Sequence, residues 1–497
     1  LALLNNMFER SINMGNDFVL EEAAIESIQT AFKNNILSAE ELVLGYLERI
    51  ARYDKKGPKI NSVLEINPDA ISQARALDYE RLTSGYRSKL HGIPILVKDN
   101  IETADKLHTS GGSMALKDVY SKKDAYIIEK LRKAGAIILG KTNMTEWASY
   151  MSENMPAGYS SRGGQVLNPY GLNRLSPGGS SSGSAAAVTC NFCLAAIGTE
   201  TSSSIVNPSG YMGIIGIKPT VGLVSRSGII PATNMQDTAG PMTRTVEDAA
   251  ILLGILAGYD SEDPITIQSQ SHGYTDYTRF LEKDGLKGAR IGVPREYFYS
   301  DLPAEESEIM DNALAVMKEN GAEIIDNLKI PYAKELKSKR VNLYEFKSDL
   351  NYYLSKLDSH IPVHSLTELI HYNKEHSKVM LKYGQSFLEY AEKTSGSLAE
   401  EEYLKSRIRH MTLSRNTIDD TISEKRLDAL VFPGDKGAVL VNKAGYPMVT
   451  VPAGIQKDGK GLGVTFAAGA FKEPVLIKLA YAFEQHAKRR VPPPIFR

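Results

Sequence analysis

Two stretches of this chain repeat one pattern: an amphipathic helix, a glycine, and a short apolar strand. In the first, Tyr126, Ile127 and Leu131 recur at helical spacing and Asp124 reads as the N-cap. Gly135 closes that helix before the run AIIL at 136–139. In the second, a helix over about 306–320 ends at Gly321 and leads into AEII at 322–325. Strands this apolar have both faces covered, so the alternation predicts an α/β fold with a largely buried sheet.

Other segments fit the same architecture. Ala24, Ile28 and Phe32 lie four apart, one stripe of a helix, and Ser38 with Glu41 forms a capping-box pair ahead of the next. A further helix over about 69–81 precedes GIPILVK at 92–98, which reads as a buried strand ending in a lysine. Thr245 with Asp248 caps a helix that is apolar almost all round and therefore buried. Residues 428–433 and 448–451 have strand character, and a final amphipathic helix spans about 473–488. Ahead of these, residues 322–383 contain no glycine but many Lys, Glu, Leu and Tyr, a shift that marks a helical subregion at about 332–422. Its Tyr344, Tyr352, Tyr353, Tyr372 and Tyr383 read as half-buried tyrosines of surface helices, with a pocket wall as the alternative. No linker or repeat divides the chain, which predicts an N-terminal arm at 1–18 and one large domain over 19–497.

The bulk composition excludes several classes. With 42% hydrophobic and 24% charged residues, the 497-residue chain is ordinary for a globular protein. A net charge of −1 supplies no field for nucleic acid, so no nucleic-acid partner is expected. No apolar run is long enough for a membrane span. Two cysteines make no disulfide framework, so a reducing cytoplasm is the default; the chain begins at Leu1, and export stays open beside it.

Three motif matches fail on physical grounds. GAIILGKT at 135–142 fits a phosphate loop, but the residues between its glycines are the strand itself, where a flexible cradle is required. CNFC at 190–193 has redox spacing, yet it follows an Ala-rich helix instead of preceding one, so the thiols are expected to pack. GSSSG at 179–183 places Ser181 as a nucleophile elbow without the strand that should lead into it.

Chemistry gathers elsewhere. Residues 178–185 read GGSSSGSA, residues 198–205 read GTETSSSI, and Lys98 stands in VKDN at 97–100. Hydroxyls crowded into two turns, with one lysine in apolar surroundings, are the materials of a serine nucleophile served by an unusual base. These residues resemble the amidase signature family, serine amidases with a Ser–Ser–Lys triad. Further matches are GKTNMTE at 140–146, GIKPT at 216–220, DTAGP at 237–241, GYPMVTVPAG at 445–454 and FEQ at 483–485.

The resemblance implies one α/β domain built on a mixed twisted sheet covered by helices on both faces. It implies Ser204 as nucleophile, Ser180 on a cis peptide as proton relay, and Lys98 as base. The backbone N–H groups of Thr201, Ser202 and Ser203 would form the oxyanion hole, with no metal or cofactor. A neutral lysine is required, so its pKa must fall about 3 pH units from the ordinary value, roughly 4 kcal/mol. The implied substrate is a small-molecule or peptide amide, with ammonia or an amine released. Departures are Glu200 where the family has Asp, and Ser202-Ser203 where glycine is common; a positive φ at Ser203 would strain it. IVNP at 205–208 lacks the arginine usual in aminoacyl-tRNA amidotransferase subunits, and the sequence looks closer to stand-alone peptide amidases. The amidating component of such an amidotransferase, or a catalytically weak relative acting as a binding protein, are the alternatives.

Overall fold

The helix–glycine–strand units do feed a common sheet. In a computed structural model describing residues 18–337 and 340–496, thirteen strands follow one another along the chain. These are β1 (Val63–Ile66), β2 (Pro94–Lys98), β3 (Ile137–Thr142), β4 (Tyr159–Ser160), β5 (Gly164–Gln165), β6 (Ala195–Glu200) and β7 (Ile215–Lys218). Then come β8 (Thr238–Thr243), β9 (Arg290–Gly292), β10 (Glu323–Ile325), β11 (Ala429–Pro433), β12 (Met448–Ile455) and β13 (Gly461–Ala467). Apart from the small β4–β5 hairpin, they form one 11-stranded mixed sheet in the order β1-β3-β2-β6-β8-β7-β12-β13-β11-β9-β10. β3, β2 and β6 run parallel, as do β11, β9 and β10, and the strands between are antiparallel. Every residue of β2, β3, β6, β8, β11 and β13 is buried, so the sheet is covered on both faces.

Local chemistry explains most helix starts. Ser38 Oγ accepts from the Glu41 N–H at 3.1 Å while the Glu41 carboxylate accepts from the Ser38 N–H at 2.8 Å, the expected reciprocal cap. Thr245 Oγ1 likewise accepts from the Asp248 N–H, starting the buried helix Val246–Leu256. Asp124 is a correction. Ala125 holds the N-cap position of the helix Tyr126–Lys133, and the Asp124 carboxylate instead takes the Ala104 N–H and the Arg132 guanidinium. These two partners outcompete the cap. The expected N-terminal arm falls, all but Phe18, outside the described residues.

The region between β10 and β11 contains the helices Arg340–Leu354, Leu366–Glu375, Ser386–Glu392 and Glu401–Lys425. Its apolar residues Phe346, Leu350, Leu366 and Leu369 form a second cluster with Trp147, Met151, Ile230 and Ala232, separate from the main core. The helical region is thereby fastened to the loops that follow β3 and β7. Tyr344 and Tyr372 are half-buried, as expected: Tyr344 stacks on the buried Tyr403 and Tyr372 on His376.

One glycine of the GGSSSGSA run is required by close approach. Gly183 lies in the helix Ser182–Thr189, and a Cβ there would come within 2.2 Å of the Asn143 carbonyl and 2.4 Å of the Ser62 carbonyl. Gly183→Ala is expected to destabilise the protein by ~1–3 kcal/mol or more, read as a lowered denaturant midpoint. An unchanged midpoint would show that this helix can shift.

Candidate active site

β2 and β6 are parallel neighbours in register at Ile95↔Ala195 and Val97↔Ile197, so their carboxyl ends lie side by side. Ligand sites of α/β sheets gather at such ends. Here β2 ends on Lys98, and β6 runs into the turn 201–204 ahead of the helix Val206–Tyr211. The turn before the helix Ser182–Thr189 completes the group with Ser180, which follows a cis Gly179–Ser180 peptide bond.

Lys98 and Ser180 are fully buried. Lys98 Nζ lies 2.8 Å from Ser180 Oγ, 2.9 Å from Thr199 Oγ1 and 3.2 Å from the Thr199 carbonyl. Among the described residues no carboxylate forms an ion pair with it. Burial therefore brings its pKa down to about 7, against the opposing pull of Asp237 and Glu200. Ser204 retains slight exposure, at 8%, and its carbonyl accepts from the Ser181 N–H, tying the two serine turns together.

Thr201, Ser202 and Ser203 occupy a turn whose carbonyls are each held from outside. The Thr201 carbonyl accepts from Gln236 Nε2 at 2.9 Å, that of Ser202 from Asn442 Nδ2 at 2.6 Å, and that of Ser203 from the Asn207 N–H at 2.8 Å. Glu200 braces the far side: its Oε2 takes the N–H groups of Ile205 and Val206, and its Oε1 takes Asn442 Nδ2. Neither Ser202 nor Ser203 has a positive φ, so the strain expected at Ser203 is not present. Asp237, half-buried and pushed up to about 6 by desolvation, accepts from Thr201 Oγ1 at 2.5 Å and from the N–H groups of Ala232 and Thr233.

Sequence reasoning gives Asn442, Gln236, Asn100 and Thr199 no roles. Thr199 Oγ1 joins Lys98 to Asn100 Nδ2, which lies 3.0 Å away. Thr199, Asn100 and Asp237 do sit inside quoted motifs. Gln236 directly precedes the match at 237–241, whereas Asn442 carries no such signal, because its contacts exist only once the sheet is assembled. The three misleading motifs resolve structurally. Lys141 of the phosphate-loop match is buried in β3, bonded to Thr109 Oγ1 and the Ile101 carbonyl. Cys190 and Cys193 are free and buried, with burial pushing the Cys193 thiol up to about 12. Ser181 is sealed in, its hydroxyl donating to the Thr199 carbonyl.

A cavity of about 820 Å³ reaches Thr199 of β6 and Thr201 of the turn that follows, and extends to Tyr352 and Tyr353 of the helical region. Lys98, Ser180 and Ser204 do not line it; Lys98 stands one hydrogen bond behind Thr199. Of the five tyrosines considered for a pocket wall, only Tyr352 and Tyr353 line this cavity.

A buried lysine beside paired serine turns thus stands at the carboxyl ends of parallel strands. The amidase family profile matches residues 41–436. A probable amidase of Arabidopsis thaliana is 39% identical, covering 97% of this chain and 93% of that one. The structure of native peptide amidase from Stenotrophomonas maltophilia superposes with a TM-score of 0.90 at 40% identity, covering 97% of this chain and all of the other. A glutamyl-tRNA(Gln) amidotransferase component from Thermoanaerobacter pseudethanolicus is 32% identical, covering 95% of this chain and 98% of its own. The chain belongs to the amidase family. Among the described residues no helix is long and apolar enough to cross a membrane.

Proposed function

We propose that the protein hydrolyses carboxamides through a serine acyl-enzyme, with Ser204 as nucleophile, Ser180 as proton relay and Lys98 as base. The observation that carries this reading is the environment of Lys98: buried, unpaired by any carboxylate among the described residues, and 2.8 Å from Ser180 Oγ. A neutral amine has two hydrogens to donate and one lone pair to receive. The Thr199 carbonyl and Oγ1 can absorb both donations, which leaves the lone pair for the Ser180 O–H.

In the proposed cycle, Ser204 Oγ attacks the amide carbon while its proton passes through Ser180 to Lys98. The N–H groups of Thr201, Ser202 and Ser203 receive the developing oxyanion, since that turn's carbonyls are fixed elsewhere. Collapse breaks the C–N bond, the proton leaves with ammonia or an amine, and water hydrolyses the ester. No step calls on a metal or cofactor.

A stand-alone peptide amidase is favoured over an amidotransferase component. Val206 and Asn207 follow Ser204 where such components carry arginine, and the peptide amidase likeness, at 40% identity, exceeds the 32% of the amidotransferase relative. The isolated chain is expected to release ammonia from C-terminally amidated peptides and to take a fluorophosphonate on Ser204, located by mass mapping. An adduct on Ser181 would overturn the assignment of the nucleophile. Glutamine-dependent amidation of charged tRNA with partner proteins, and no turnover of simple amides, would transfer the protein to the amidotransferase class.

A further inference from the structure

The cavity beside the nucleophile turn is unevenly furnished with hydrogen-bond partners. Its cations are already engaged: Arg226 pairs with Asp263, Lys123 with Glu262, and Lys122 with Asp358. Lys356 lies at the outer edge, its Nζ 3.7 Å from the ring centroid of the exposed Tyr352. Beside them, Asp349 and Glu102 form no ion pair among the described residues. Asp349 is held by the Asn234 N–H at 2.9 Å and by the Asn234 side-chain amide, both neutral donors, and feels the charge of Arg226 without an ion pair to it. Glu102 feels the nearby Tyr353 hydroxyl and the charges of Lys141 and Lys356, but forms no ion pair among the described residues. Independently, Asn100 lines the same cavity at 3% exposure, and its Oδ1 has no donor, because its Nδ2 is the group turned to Thr199.

Buried acceptors without donors are costly, and uncompensated carboxylates costlier. The surroundings of Asp349 register this: burial, followed by the like charges of Glu345 and Asp237, pushes its pKa up to about 7. What the cavity lacks is a donor-rich cation. A guanidinium or ammonium brings several N–H donors and the missing charge together, whereas an anionic or acceptor-rich group would meet more acceptors.

We propose that this cavity selects amide substrates whose acyl part carries a basic side chain, with Glu102 and Asp349 as the selecting carboxylates. The inference rests on the amide-hydrolase reading above and narrows its substrate class. With ammonia as leaving group, everything else in the substrate is acyl. A carbonyl placed at Ser204 directs that remainder past Thr201 into the cavity. Neither selecting residue belongs to the proton relay, so their effect should fall on recognition and leave the chemical step alone.

The test compares argininamide with its isostere citrullinamide, and with glutamate α-amide, each Nα-acetylated so that the side chain carries any charge. Calorimetry on Ser204→Ala protein reads binding without turnover, and ammonia release by the parent protein reads kcat/KM. Argininamide is expected to be favoured over citrullinamide by about tenfold or more in both measurements, and the glutamate amide to be the poorest of the three. In Glu102→Gln/Asp349→Asn protein that ratio should collapse toward one through KM, with citrullinamide turnover kept. Each single variant should lose part of the preference, which keeps the test open if the double variant is unstable. Equal binding of argininamide and citrullinamide, or a preference unchanged in the variants, would overturn the proposal while amide turnover and the Ser204 adduct still supported the hydrolase reading. Preferential binding of argininamide with no turnover of any amide would support the cavity's selectivity and sink the hydrolase reading instead.

Discussion

Ser204→Ala is expected to lower amide turnover by roughly 10⁴-fold or more with little change in substrate binding, because the nucleophile's oxygen makes its decisive bond only in the reaction. The fold should survive. It is the Ser204 carbonyl that the structure holds, through the Ser181 N–H, and a methyl group keeps that backbone contact. Ser180→Ala removes the group lying 2.8 Å from Lys98 Nζ and should cost roughly 10²–10⁴ in kcat, the usual range for a lost proton-transfer partner. The two losses should not add, since both act on one proton path. Ammonia release, with thermal unfolding as control, measures them. A Ser204→Ala protein keeping a tenth of parental kcat would remove Ser204 from the mechanism.

How much of this site can be seen in the sequence depends on where each residue's partners lie along the chain. Lys98, Ser180 and Ser204 are legible because three short motifs carry them. The helix–glycine–strand pattern likewise exposes the buried strands. It cannot order them: β7 follows β6 in the chain, yet β8 sits between them in the sheet. The brace around the turn is equally hidden. Asn442 lies beyond β11 in the chain, and it reaches the Ser202 carbonyl and Glu200 only after β12 docks on β7. Ser203 shows the opposite failure. Serine in a glycine-rich position suggests strain, but the carbonyls of 201–203 are fixed by Gln236, Asn442 and Asn207 in a conformation that serine adopts without a positive φ. Asp124 misleads for a similar reason. Its cap chemistry is sound locally, but Arg132 and the Ala104 N–H claim the carboxylate first.

Activity is expected to rise with pH along a limb centred near 7, because Lys98 can accept the relay proton only when neutral and burial brings its pKa to about 7. Below that pH the protonated lysine blocks the first step. The same shift sets a stability slope of known sign. In the unfolded chain the lysine holds its proton up to about 10.4, so between roughly 7 and 10.4 the unfolded state binds a proton that the folded state has released. Stability therefore increases with pH through that window. The burden of the buried charge, on the order of 4 kcal/mol, is fully present below the folded value and gone above the unfolded one. Lys141 and Lys218, also buried and lowered to about 8, contribute slopes of the same sign. The informative quantity is consequently the difference between the parent and Lys98→Met, which keeps most of the side-chain length and removes the titration. The variant should be inactive, and its stability curve between about pH 7 and 10 should be flatter than the parent's by this one group's share. A limb centred near the ordinary lysine value of about 10, or two superimposable stability curves, would mean that Lys98 keeps its charge in the folded protein. A different base would then have to be found for Ser204.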